Sequence, residues 1–293
     1  MCFVPENKCY GTVTTVMLYR LMCDKKFHCL SCKIIISVFY QKSVKFTSLI
    51  INFTMYKSLL FLFLLYANSA YANIEEIINQ LQPFFPSINA EQINESQLDG
   101  FYEVIITEPR IEVMYISSDA RYVLQGTVTD LVTMSNLSEI RINATRKQIL
   151  DNIDENSKIV FKAVNEQYIV HVFTDVDCPF CAKLHNNMAE MNSLGITIKY
   201  LASPLEQLHP QAQSAMEKIW CAENRNLALH NYKIQRILPV SEDCENPVAQ
   251  QLAISEQLGV YSTPSIFLED GTNIPGYKEP KELLQNIKQT LAQ

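Results

Sequence analysis

Past residue 72 the chain is short of positive charge. Residues 73–293 hold 16 Lys and Arg against 29 Asp and Glu, and no basic patch survives among them. A nucleic-acid surface needs such a patch, so that class of partner is set aside. Long apolar runs are missing as well. The most apolar stretch, Leu59 to Tyr66, is far short of the roughly 20 residues that cross a hydrocarbon core, so no stable membrane insertion is expected. The cysteines lack the arrangement of a zinc site. Such a site commonly pairs one C-x-x-C with a second. Here, beyond Cys178-Pro-Phe-Cys181, only Cys221 and Cys244 remain, far apart in the chain. No metal site and no cofactor is read from this sequence.

Met55 to Ala72 has the form of a secretory leader. Lys57 supplies its positive end, Leu59 to Tyr66 its apolar middle, and Ala70-Tyr71-Ala72 a cleavage site. A leader works only near an N-terminus, so Met55 is the expected start and 1–54 a non-native upstream extension. Cys23, His28, Cys29 and Cys32 in that extension do not form a complete ligand set. Processing would leave a chain from Asn73, and four of the nine cysteines stay with it. An even number in an exported chain fits one redox pair and one structural pair, the latter being Cys221–Cys244, with two buried free thiols as the alternative.

Three regions follow. In 73–135, Ile74, Ile77, Ile78 and Leu81 recur at helical spacing, and Pro83 and Pro86 stop the helix. Short β-rich runs between Tyr102 and Val128 are punctuated by Pro109, Asp119 and Gly126. The expected unit is α+β, a small cystatin-like sheet with one helix. Alone it buries little surface, and pairing with a second copy would cover its apolar face and strand edges. Residues 136–156 are expected to be a linker helix acting as a semi-rigid spacer. In 157–293 the order is strand, helix, strand, helices, strand, strand, helix, an α/β domain with a helical insertion near 211–258.

Strand Tyr168–Phe173 runs into Cys178-Pro-Phe-Cys181 and then a helical pattern. A C-x-x-C at a strand-to-helix turn reads as a redox dithiol. Two sulfurs three positions apart in a first helical turn close a disulfide with little strain, and the helix N-terminus favours the thiolate of the first. Pro179 suits the first helical position, where an N–H has no partner. Cys178 is expected to be the exposed nucleophile and Cys181 the resolving thiol. His185 reads as a surface or capping residue, Asp175 and Asp177 as turn residues, and Trp220 as core.

Phe173-Thr-Asp-x-x-Cys-x-x-Cys-x-Lys-Leu-His185, Ile219-Trp-Cys221, Gln257-Leu-Gly-Val-x-x-Thr-Pro264 and Gly271-Thr-x-x-Pro-Gly-Tyr277 resemble the DsbC/DsbG family of periplasmic disulfide isomerases, nearest its DsbC branch. The resemblance implies a thioredoxin fold in 157–293 and a dimerisation domain in 73–135. It further implies a periplasmic V-shaped homodimer with two dithiols facing one cleft. Thr263-Pro264 would be the cis-Pro loop beside the substrate. Implied partners are misoxidised or unfolded exported proteins and a DsbD-type membrane reductant. The family usually carries Gly-Tyr between the cysteines, where this chain has Pro179-Phe180. A net dithiol oxidase and a chaperone-like holdase with secondary redox activity stand as alternatives.

Overall fold

The computed structural model describes residues 69–292, with side chains from Ile74 onward. The expected extension 1–54 and leader 55–72 fall outside the residues whose side chains are described. Helix α1 (Ser69–Leu81) opens the fold and ends just before Pro83. A four-stranded antiparallel sheet follows in the order β1 (Ile93–Glu95), β2 (Phe101–Ile106), β3 (Glu112–Ser117) and β4 (Val123–Gln125). Val104 pairs with Met114 and Tyr102 with Ile116. Alternation sends Val104, Ile106, Met114 and Ile116 to one face, where they bury Ile77 and Leu81 of α1. The opposite face of β3 is covered too, because Tyr115 meets the next helix. Strand β1 was not anticipated, since three residues are too few to show alternation.

Helix α2 (Leu137–Asp151) is the expected linker, but it is no free spacer. Asn136 caps it by accepting from Glu139 N. Near its start, Ser138 Oγ lies 2.9 Å from Tyr115 Oη, and Arg141 pairs with Glu103 of β2. Near its end, Leu150 and the following Ile153 pack on Phe173, Leu201 and Phe267 of the second domain. Polar contacts thus tie its start to the first sheet and only its end enters a core, which is why its sequence shows no single apolar stripe. Midway, Gly271 at φ +88° lies so close that a Cβ there would sit 2.0 Å from Asn143 O. The small domain also bonds the second directly, through Ile111 N to Gln257 O and Gln257 Nε2 to Thr107 O, both 3.0 Å.

The second sheet runs β5 (Ile159–Phe161), β7 (Ile196–Ala202), β6 (Tyr168–Thr174), β8 (Ser265–Leu268), β9 (Asn273–Pro275). Central β6 is parallel to β7 and antiparallel to β8. A parallel pair needs a crossover, supplied by α3 (Pro179–Asn186) and α4 (Met188–Ser193). The insertion between β7 and β8 is α5 (Ala212–Trp220), α6 (Arg225–Gln235) and α7 (Val248–Gln257), and α8 (Pro280–Thr290) closes the chain. Val170, Val172, Ile198, Tyr200 and Trp220 fill one side of the sheet, and Phe173, Leu201 and Phe267 the other. Both faces being buried explains the near-continuous apolar reading of β6.

A disulfide joins Cys221, at the end of α5, to Cys244, ahead of α7. Its 23-residue separation puts the stabilisation at about 3 kcal/mol in the chain-entropy picture. Replacing both cysteines by serine is expected to lower the unfolding free energy by about that much. Denaturant titration checks this, and a variant as stable as the parent contradicts it.

Candidate active site

The end of β6 delivers the dithiol. Asp175 follows the strand and is fully buried. Its carboxylate accepts from Asp177 N at 2.7 Å and Leu205 N at 2.8 Å, and lies 3.0 Å from His209 Nδ1. This fixes the turn 175–177 and aims the chain into α3. Asp177 in turn accepts from Tyr232 and Arg236 of and after α6, at 3.0 and 2.6 Å. Both aspartates are turn residues, as expected, but Asp175 is an interior one.

Cys178 is the N-cap of α3 and Pro179 its first residue. The Cys178 thiol points at Thr263 O, 3.2 Å away. Cys178 is only 6% exposed, which corrects the expectation of an open nucleophile: the Thr263 carbonyl lies against the sulfur. The Thr263–Pro264 peptide is cis and leads into β8, whose Ser265 pairs with Phe173. The site is therefore assembled from the ends of two adjacent strands.

The two sulfurs differ sharply in acidity. Hydrogen bonding from Cys181 and from the N–H groups of Cys181 and Phe180 outweighs burial and brings the Cys178 thiol down to about 5. Burial, with the neighbouring Cys178 sulfur, holds Cys181 well above the ordinary thiol range. One sulfur is a thiolate at neutral pH and the other keeps its proton, the division that thiol–disulfide exchange uses.

Residues 68–139 match the family described as "Disulfide bond isomerase protein N-terminal domain", and residues 155–291 match a thioredoxin-like domain. The Thiol:disulfide interchange protein DsbC of Escherichia coli K12 is 34% identical over 232 residues, covering 78% of this chain and 94% of that one. The chain belongs to the DsbC family. The DsbC of Salmonella typhimurium is 37% identical over 174 residues, 58% of this chain and 70% of that protein. A disulfide interchange protein from Neisseria gonorrhoeae superposes with a TM-score of 0.44 at 29% identity, over 47% of this chain and 97% of that one. Membership makes the chain a thiol–disulfide oxidoreductase with a thioredoxin-like domain behind an isomerase-type N-terminal domain, the expected fold class. Among the described residues, no helix is long and apolar enough to cross a membrane.

Several residues of this DsbC-family site were not legible in the sequence. His185 is buried, not a surface or capping group. Its Nδ1 lies 3.2 Å from Tyr200 Oη and its Nε2 3.1 Å from His230 Nδ1, and burial with nearby Lys233 pushes it down to about 3. It stays neutral and locks α3 to β7. Lys233 of α6 lies beneath the dithiol, bonded to Thr174 Oγ1 and Asp175 O. Nothing local in the sequence marks a lysine of a helical insertion as interior.

Proposed function

We propose that the chain is a periplasmic disulfide isomerase working as a homodimer, with Cys178 as attacking thiolate and Cys181 as resolving thiol. The contrast in acidity between these two sulfurs carries the reading. The Cys178 thiolate attacks a wrong disulfide in an exported protein, forming a mixed disulfide and freeing one substrate thiolate. Attack on that mixed disulfide by another substrate cysteine restores the Cys178 thiolate, with no net gain or loss of electrons. When no partner cysteine arrives, the Cys181 thiolate displaces the substrate. The substrate then leaves reduced by two electrons, and the dithiol becomes a disulfide. Restoring it requires a dithiol donor from the membrane, a DsbD-type reductant. The cis Thr263–Pro264 loop would lie along the substrate backbone. Phe180, 60% exposed, offers the unfolded client an apolar surface beside the sulfur.

The small domain supports the dimer. Val123 and Leu124 of β4 are exposed, as are Leu131, Val132 and Met134 of the following loop. A second copy laid on this face would cover both the apolar surface and the free edge of β4.

Light scattering of the processed chain is expected to give a dimer at micromolar concentration. A version starting at Asn136 keeps Leu150 and Ile153 on the sheet. It should be a folded monomer with intact dithiol chemistry and little reactivation of scrambled ribonuclease. A monomeric processed chain, or full reactivation by the shortened one, would overturn the proposal.

A further inference from the structure

The face of the second sheet that meets the end of α2 holds a polar pocket as well as a core. His171 of β6 is in register with Lys199 of β7, and Lys199 with Val160 of β5. Paired residues share a face of a sheet, and so do residues two apart along an extended strand. Lys158 has extended backbone two residues ahead of Val160. Lys158, Lys199 and His171 therefore stand side by side on one face. With Leu150 and Asp151 of α2 they line a cavity of about 140 Å³.

The floor of this cavity is rich in donors. His171 is 6% exposed, and the Lys158 side chain 3%. Lys158 Nζ lies 3.3 Å from His171 Nε2. An ammonium has only hydrogens to offer, so Nε2 accepts. Burial, with Lys158 and Lys199 nearby, pushes the ring down to about 4, and a neutral imidazole has a single N–H. That hydrogen is then on Nδ1, which has no hydrogen-bond partner among the described residues. A buried donor without an acceptor is destabilising, and an acceptor from outside the chain would relieve it.

The lysines are short of partners too. Lys158 and Lys199 share the one carboxylate of Glu155, at 3.0 and 2.5 Å. Glu155 itself is at the exposed rim, with Glu269 and with Asp151, which is paired to Lys147. The charge is layered. Cations and an orphan N–H form the floor, and the carboxylates face solvent, where screening weakens them.

We propose that this cavity binds a tetrahedral oxyanion of the phosphate class. The oxygens of such a group accept, and the three floor groups donate. Three donors on three adjacent strands suit three oxygens of one tetrahedral group better than the two of a planar carboxylate. A water's share of the liquid is about 30 Å³, so the cavity has room for a group of roughly five heavy atoms. Hydrogen bonds from ammonium groups to such an anion are of the strong, charge-assisted kind. Neither cysteine takes part, and no covalent bond is made or broken.

Calorimetric titration of the processed chain with sodium phosphate near pH 7 tests this, with ionic strength held constant by sodium chloride. One saturable site per chain is expected. Lys158→Met should weaken binding about 10-fold or more, the loss for one hydrogen bond to a charged group. It should fold, since an apolar side chain replaces a buried amine and Glu155 keeps Lys199. His171→Phe should weaken binding to a similar degree. In protein carrying 15N-labelled histidine, His171 should hold its hydrogen on Nδ1, and phosphate should shift that nitrogen. Phosphate binding tighter than glycerol phosphate would mark the free ion as the ligand, and the reverse a phosphate ester; either ranking supports the site. Phosphate acting no differently from chloride leaves the cavity to water and overturns the proposal. So does the parent's affinity in folded Lys158→Met and His171→Phe, or a His171 hydrogen found on Nε2. If neither variant folds, Lys199→Gln decides by the same loss of affinity.

Discussion

Cys178→Ala is expected to reduce reactivation of scrambled ribonuclease to the level of buffer alone. Cys181→Ala should behave differently, accumulating mixed disulfide with its substrate. The asymmetry follows from position. Cys178 heads α3 and lies under the Thr263 carbonyl, and its sulfur ionises near 5. Cys181 is fully buried and keeps its proton at neutral pH. Alkylation of the reduced protein at neutral pH, followed by peptide mapping, should therefore label Cys178 and spare Cys181. The largest cause of the low Cys178 value is the hydrogen bond from Cys181. Losing that donor in Cys181→Ala should move the Cys178 titration upward. Equal labelling of both cysteines, or an unmoved Cys178 titration in Cys181→Ala, would count against this division of roles.

The second large effect is on the redox couple. A sulfur that is stable as a thiolate favours the dithiol over the disulfide, so the couple should be oxidising, between about −120 and −200 mV. Its pH dependence carries the same signature. Between about 5 and the raised Cys181 value, reduction takes up one proton for two electrons. The potential should then fall about 30 mV per pH unit, and about twice as steeply below pH 5. Stability of the reduced protein follows with its sign. The folded Cys178 value lies below the ordinary 9.0, so its contribution is full above about 9, shrinks as pH falls, and is gone below about 5. An isomerase needs the attacking thiolate available, so protein acid-trapped in cells should carry Cys178 and Cys181 as thiols and Cys221–Cys244 as a disulfide. A predominantly oxidised Cys178–Cys181 pair would make the chain an oxidase in practice.

What the sequence disclosed was local. Cys178, Pro179 and Cys181 announce a redox turn through spacing alone, and Ile77 and Leu81 announce one helix face through period. The interior polar groups are different in kind. His185 lies on α3, and only the packing of α3 against β7 shows that this position faces Tyr200. Lys233 sits in the last turn of α6, where a lysine ordinarily faces water. Asp175 reads as a turn residue, and its other two partners, Leu205 and His209, come from a loop beyond β7. The linker helix lies where it was expected, and only its packing was hidden. Its buried residues answer to two sheets, so neither gives it a period, and its start at Leu137 depends on the Asn136 cap.

The contact between Gly271 and Asn143 leaves no swivel between α2 and the sheet that carries the dithiol. Each arm of the proposed dimer is then one solid piece, and its reach is set where the two small domains meet. The 15 residues of α2 make a lever of roughly 22 Å. A tilt of roughly 10° at that junction would swing its far end by roughly 4 Å, on the scale of a strand spacing. Substitutions on β4, remote from any sulfur, would thereby change which client proteins fit between the arms.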